Sequence, residues 1–351
     1  MDFSIFATLL QDGMTSGAIY ALTALSLVLV FSVTRIIFVP QGEFVTYSAL
    51  TFVALESNVF PATAWLCLLL GGAAFVLNLY AFARQAARTP DGLRRLAACV
   101  VWDLVLPLVT FGLALLIYQK HLGTLVNIAL TMLLITPMGR YVYRLAYQRV
   151  AENSILLLLI VSVALHLMMV GIGLAMFGPE GARAQPLWSA SFDWGALLLT
   201  GQSLLILLLA VVSMVLMYFY FSRTLLGAAL KATAINRLGA TLMGVETRDA
   251  GSVTFLFAAG VGALCGVLIA SVTTIYYDSG FLIALKGFVG AIIGGLASYP
   301  VAAAGAVLVG VIESFSSFYA SAYKEVLVFT LIIPVLLWMS LKHPQLDEGE
   351  E

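Results

Sequence analysis

The chain has 351 residues, of which 62% are hydrophobic and 10% are Asp, Glu, Lys or Arg, with a mean hydropathy of +1.05; a soluble domain carries about 25% charged residues, so this chain cannot cover a water-facing surface. Its 17 basic and 18 acidic residues give a formal charge of -1, which excludes the positive footprint of a nucleic-acid binder. Since a membrane-spanning helix takes about 20 apolar residues, the composition leads to an all-α, polytopic helical membrane protein of about 8–11 transmembrane or re-entrant helices.

Residues 1–6, MDFSIF, lack a basic n-region and a small-residue cleavage site, so the first apolar run reads as retained. The uncharged stretch between Asp12 and Arg35 is the first expected span, 36–55 the second, interrupted by Glu43, and 57–83 the third. Residues 96–119 and 122–139 read as a helical hairpin, with Asp103 near the start of its first arm. Segments 153–179, 194–222 and 250–277 follow, each uncharged apart from His166 when protonated. The Gly- and Ala-rich stretch 280–312 is expected as two shorter segments meeting near Ser298, Tyr299 and Pro300, because proline removes an intrahelical bond and biases its predecessor away from helix. The first of these suits a re-entrant segment. Gly290, Gly294, Ala302, Ala306 and Gly310 have the small-xxx-small spacing that lets helices approach closely in lipid. Residues 326–341 close one transmembrane domain over 1–346, and 347–351 form an acidic tail.

Cys67, Cys99 and Cys265 each sit in an apolar run without CxxC or His spacing, so they read as small buried hydrophobes and no disulfide or metal site is expected. In the expected topology 13 of the 17 basic residues fall on one side: Arg35, the arginines between 84 and 95, Arg140, Arg144, Arg149, the basic residues from Arg223 to Arg248, and Lys342. By the positive-inside rule that side is cytoplasmic, the N-terminus lies outside and the C-terminus inside. The loop 180–193, with Trp188, then falls on the outer face.

No Gly-Lys pair exists to build a P-loop, HExxH and GxSxG are absent, and His121, His166 and His343 are scattered. The chain therefore reads as a transporter or channel without a cofactor rather than as an enzyme. Glu43, Asp103, Lys286 and Glu313 are its intramembrane ionisable candidates, each with interfacial snorkelling as the alternative. The centres of the longest uncharged spans are clean, which argues against an ion-coupled transporter.

The segment 221–249 interrupts the apolar chain with an amphipathic helix in which Ala232, Asn236, Ala240 and Gly244 recur every four positions, a low-profile stripe fit for a groove on a partner. Lys231 and Arg237 lie off that stripe and reach water; a helix resting on anionic lipid is the alternative. The pattern Gly227, Ala232, Ala234, Asn236, Ala240, Gly244, Val245 resembles the cytoplasmic coupling segment of ABC importer permeases of the branched-chain amino acid family, the LivH type. Elsewhere Gly13, Gly17 and Tyr20-Ala21-Leu22, then Pro40-Gln41-Gly42-Glu43, look like the family's opening motifs, and Tyr147-Gln148-Arg149 like a degenerate Tyr-Arg-Pro. Lys286-Gly287-Phe288, Gly294-Gly295 with Ser298, Gly305, Gly310 and Glu313, then Tyr323-Lys324, are similar to its closing run. The longer gap between Glu43 and Tyr147 implies an extra hairpin within 57–139. Phe38 and Gln41 stand where many members have Asn and His, and Leu238 and Gly239 replace acidic or polar residues.

The resemblance implies half of a translocation pathway in a bacterial inner membrane, paired with a second permease subunit of LivM type, driven by two ATP-binding cassette subunits of LivG and LivF type, and fed by a periplasmic substrate-binding protein. The solute would be a branched-chain or other hydrophobic amino acid, urea, a short amide or an aromatic acid. ATPase coupling would rest on Gly227, Lys231, Ala232, Ala234, Asn236, Arg237, Ala240, Gly244 and Val245, and the pathway on Tyr20, Gly42, Glu43, Lys286, Gly294, Gly295, Ser298 and Glu313. Glu43 and Lys286 would guide the two ends of a zwitterion, with a structural ion pair as the rival. A self-contained secondary transporter or channel is the competing class.

Overall fold

The computed structural model describes residues 3–85, 97, 99–120, 122–151, 153–194, 197–245 and 247–342. Among these, seven helices are long and apolar enough to cross a membrane. The basic residues at 88–95 and the acidic tail 347–351 lie outside the described residues. The chain packs as two compact units, the first Met1–Val28, Trp188–Phe219 and Leu282–Glu351, the second Leu29–Leu187 and Tyr220–Phe281.

The second unit is built around a helix that the charge pattern marks only as another span. Helix α1 (Phe3–Thr34) ends where Arg35 takes a φ of 59°, and Pro40 precedes the next helix, so residues 36–55 do not form one span. Instead α2 (Gln41–Glu56) has 16 residues, about 24 Å at 1.5 Å per residue. It is buried over nearly its whole length, polar positions included, as a core helix is. Three of its polar side chains are spent on neighbours: Tyr47 donates to Met169 O at 2.5 Å, Ser48 to Ala263 O at 2.6 Å, and Thr51 bonds Thr63 at 2.7 Å. Helix α3 (Thr63–Gln85) follows, then a π turn at Val101–Val105 leading into α4 (Leu106–Ile117). Pro107 has no N–H to offer Asp103 O, so the turn before it widens. Gly71 of α3 packs there, where a Cβ would lie 2.8 Å from that carbonyl.

Helix α5 (Thr124–Val142) runs into a second π turn, Tyr143–Tyr147, and α6 (Ile155–Phe177) is capped by Ser154. Asp103 does not snorkel: its side chain is buried, with Arg144 Nη1 at 2.7 Å and Asn78 Nδ2 at 2.5 Å. This ties α3 and the two π turns together. Helix α10 (Thr247–Ile269) packs on both α2 and α5. Gly262 and Gly139 permit this, since a Cβ on them would fall 3.0 Å from Phe44 Cβ and 2.6 Å from Ala259 Cβ.

One departure from an all-α chain is the antiparallel pair β1 (Ser191–Trp194) and β2 (Leu197–Thr200), so the span expected from 194 begins instead at α7 (Gly201–Arg223). Two short helices follow, α8 (Leu225–Ile235) and α9 (Arg237–Leu242). In the first unit, α11 (Ser279–Ile293) contributes its residues from Leu282 onward and meets α12 (Tyr299–Tyr319) at the break read from Pro300, which lies in the first turn of α12. Gly295 and Leu296 make that break at φ 62° and 55°. Gly290 and Gly294 face Ala306 and Ala302, at 2.6 and 2.7 Å for an added Cβ, so the small-residue spacing marks a helix–helix contact. The second segment is longer than expected and carries Glu313 within it rather than past its end. After a 3-10 turn at Ser321–Tyr323, the expected closing helix is two, α13 (Lys324–Thr330) and α14 (Ile332–Lys342), because Pro334 cannot donate to Thr330 O.

Candidate functional site

The first unit gathers ionisable groups from four helices. Gly13 and Gly17 bring α1 against α12: an added Cβ would sit 2.6 Å from Val311 Cα and 2.7 Å from Val307 Cα respectively. One turn beyond Gly17, Tyr20 donates its hydroxyl to Glu313 Oε2 at 2.7 Å. Lys286 of α11 donates from Nζ to Glu313 Oε1 at 2.5 Å and to Glu325 Oε1 of α13 at 3.3 Å, and lies 5.7 Å from the Tyr20 ring centroid. One ammonium thus serves two carboxylates. Tyr20, Lys286 and Glu313, named separately from the sequence, form one network. Glu325 is the member that sequence reasoning missed; it directly follows the Tyr323-Lys324 pair and carries no apolar-run signal of its own.

Glu43 is not part of that network. It lies in the first turn of α2, in the second unit, fully buried, with Oε1 3.0 Å from Nδ1 of His166 on α6. The His166 ring centroid is 4.8 Å from that of Phe281. Lys286 faces two carboxylates, the ion-pair arrangement that rivals a role for Glu43 and Lys286 at the two ends of a zwitterion. Gly42, next to Glu43, is buried and its carbonyl is covered by Gly280. Gly294, Gly295 and Ser298 make the break between α11 and α12, where Ser298 N donates to Gly294 O at 3.0 Å.

The segment 221–249 is not one helix. Asn236 is extended, with φ -147° and ψ 100°, and its side chain caps α9 by accepting from Gly239 N at 2.8 Å. A residue that prefers to bond the backbone locally ends one helix and starts the next. The expected stripe is therefore dispersed: Ala240 is buried, Ala232, Asn236 and Gly244 are exposed, and Ala234 is half-buried, as is Val245. Thr224 caps α8 at Gly227 N, 3.0 Å, and Gly227 lies against Phe221, where an added Cβ would be 2.6 Å from its Cα. Gly244, at φ 86°, closes α9: its N–H donates to Thr241 O and that of Val245 to Ala240 O, both at 3.0 Å. The face left outward is apolar. Ile235, Leu238, Leu242 and Met243 are between 73% and 85% exposed, flanked by the exposed Lys231. An amphipathicity reading that looked for small residues passed over them.

Seven apolar helices among the described residues, with charges held inside by partners, define a multi-pass membrane protein. A family described as the permease component of branched-chain amino acid transport systems matches residues 9–336, and the chain belongs to that family. Relatives include the high-affinity branched-chain amino acid transport system permease protein LivH of Salmonella typhimurium and of Escherichia coli strain K12, each 25% identical over 346 residues, covering 96% of this chain and 94% of the relative. BraD of Pseudomonas aeruginosa, named as the same kind of permease, is 27% identical over 217 residues, 60% of this chain and 71% of its own. No solved structure matches the chain.

Proposed function

We propose that this permease is one transmembrane half of an ATP-driven importer of branched-chain or other hydrophobic amino acids, set in a bacterial inner membrane with its N-terminus periplasmic and its C-terminus cytoplasmic. Residues 1–346 act as one permease body, beside a second permease of LivM type, above two ATPase subunits of LivG and LivF type, and below a periplasmic substrate-binding protein. The observation that carries the reading is the outward apolar face of α8 and α9, in a segment flanked by basic residues, on a chain with no nucleotide-binding motif.

In this reading Ile235, Leu238, Leu242 and Met243 enter a cleft on an ATPase subunit, and Gly227, Ala232, Ala234, Asn236, Ala240, Gly244 and Val245 shape the pair of helices that presents them, with Lys231 at its rim and Arg237 as the first residue of α9. The caps at Thr224 and Asn236 and the Gly244 turn give the pair a fixed geometry, so closure of the ATPase dimer moves it as a body and pulls on α7 and α10. Tyr20, Lys286 and Glu313 form one pathway element, Gly42 with Glu43 a second, and the Gly294, Gly295 and Ser298 break a third, where non-helical backbone in the membrane suits a lined cavity. Lys286 pairs with Glu313 and Glu325, and Lys324 stands 4.0 Å from Glu325, so two cations balance two carboxylates in this element.

Replacing Leu238 and Met243 together by Asp tests the reading. The pair variant is expected to lose co-purification with the ATPase subunits while the chain stays folded in the membrane, because both side chains face outward. Unchanged recovery of the complex with wild-type uptake would overturn it and favour a transporter that needs no ATPase.

A further inference from the structure

The contact between Glu43 and His166 carries a consequence that transport by itself does not require. The Glu43 side chain has no exposure. Among the described residues, neither of its carboxyl oxygens nor His166 Nδ1 has another hydrogen-bond partner, and Oε1 and Nδ1 are 3.0 Å apart. No Lys or Arg of the described residues pairs with Glu43. An ionised Glu43 beside a neutral imidazole would leave a net negative charge inside the unit, and an unpaired buried charge is the costliest group a protein can hold.

The surroundings add to that charge rather than balance it. Asp278, in the turn directly before α11, acts on Glu43 as a second acid, and Tyr47 of α2, whose hydroxyl is committed to Met169 O, lies one turn along. Of the other helices packed on α2, α5 carries Arg140, which is drawn to Asp103 at 3.9 Å, and Tyr141, which donates to Trp102 O; α10 carries the buried Cys265. None of these supplies a cation to Glu43.

We propose that Glu43 and His166 form a proton-binding site within the second unit, in which one proton beyond the one carried by neutral imidazole lies between Glu43 Oε1 and His166 Nδ1. The two forms of the filled site, O–H with N and carboxylate with N–H, differ only in which atom bears that proton, and both are neutral as a pair. The empty site carries one negative charge. The inference stands on the geometry of α2 and α6 and holds whether or not Glu43 meets the solute.

Infrared difference spectra of the full chain in lipid, labelled with carbon-13 glutamate and titrated over pH, read the site directly. The wild type is expected to show a protonated-carboxyl or hydrogen-shared carbonyl band that shifts in heavy water, is absent from Glu43→Gln, and titrates at a pH displaced by at least about one unit, tenfold in proton concentration, in His166→Gln. A folded state that holds this proton where the unfolded state does not must lose stability as pH rises, up to about tenfold in the folding constant per unit while the site empties. Glu43→Gln should lack that slope. Spectra of wild type and Glu43→Gln that agree in the carboxyl region at every pH would overturn the proposal, and so would a Glu43 band whose titration is the same with and without His166.

Discussion

Lys286→Met removes the one cation that stands between Glu313 and Glu325. The lysine side chain is 8% exposed and that of Glu313 14%, so this pair is close to fully desolvated, whereas Glu325 at 34% is partly screened. Removing one member of a buried pair costs about 3–5 kcal/mol because the other charge stays behind, while a partly exposed pair is worth about 1 kcal/mol or less. Lys286→Met should therefore cost about 3–5 kcal/mol, nearly all through Glu313, and Glu325→Gln about 1 kcal/mol. Adding Glu313→Gln to Lys286→Met removes the stranded carboxylate and should recover about 2 kcal/mol, a coupling that a double-mutant cycle isolates. Reversible unfolding in mixed micelles, followed by helical circular dichroism, measures all of these. If Lys286→Met and Glu313→Gln combine additively to within about 0.5 kcal/mol, the two side chains do not interact in the folded protein and the network is refuted.

Tyr20→Phe deletes a 2.7 Å bond to a carboxylate and should cost about 1.5–3 kcal/mol in the same unfolding titration. Gly17→Leu drives a side chain into the α12 backbone, where even a Cβ would be 2.7 Å from Val307 Cα, and should cost about 3 kcal/mol or more of stability, at or above the 1–3 kcal/mol of ordinary overpacking, seen as a lower thermal midpoint and reduced solute uptake. Asp103→Asn leaves Arg144 without its carboxylate and should cost about 3 kcal/mol, measured by thermal unfolding, with limited proteolysis opening α3 and α4 before the remainder of the unit. Asn236→Ala removes the cap of α9; about 1 kcal/mol of local stability is lost, and amide exchange at Gly239 and Ala240 should rise with no change at Gly227.

Spans and breaks set by a lack of charge or by proline were legible in the sequence, since both act within one helix. Pro300 located the turn between α11 and α12, and the glycine and alanine spacing around it located their contact, because close approach in lipid requires small residues at a fixed period. What the sequence did not reveal depends on neighbours. Residues 36–55 have a spanning composition, yet the φ of Arg35 and the position of Pro40 turn them into a short core helix, an outcome fixed by α5 and α10 packing on it. Asn236 was read as part of a stripe on one helix because periodicity cannot register a side chain that bonds its own backbone. His166 was one scattered histidine until α6 placed it against Glu43, and Glu325 one charge near the end of the chain until α13 turned it toward Lys286. Tyr20, Lys286 and Glu313 were identified by type, but their union in one network arises from the close approach that Gly17 and Gly310 allow.

The central claim is that this chain is a passive pathway moved by other subunits through α8 and α9. Proteoliposomes holding the chain with a second permease and the two ATPase subunits, given the loaded binding protein outside and ATP inside, test it most directly. Leucine should accumulate against its gradient with ATP, fail to do so without ATP, and fail again when Leu238 and Met243 are both Asp although the liposomes contain as much of the chain. Accumulation by the chain alone, driven by an ion gradient and indifferent to ATP, would contradict the account.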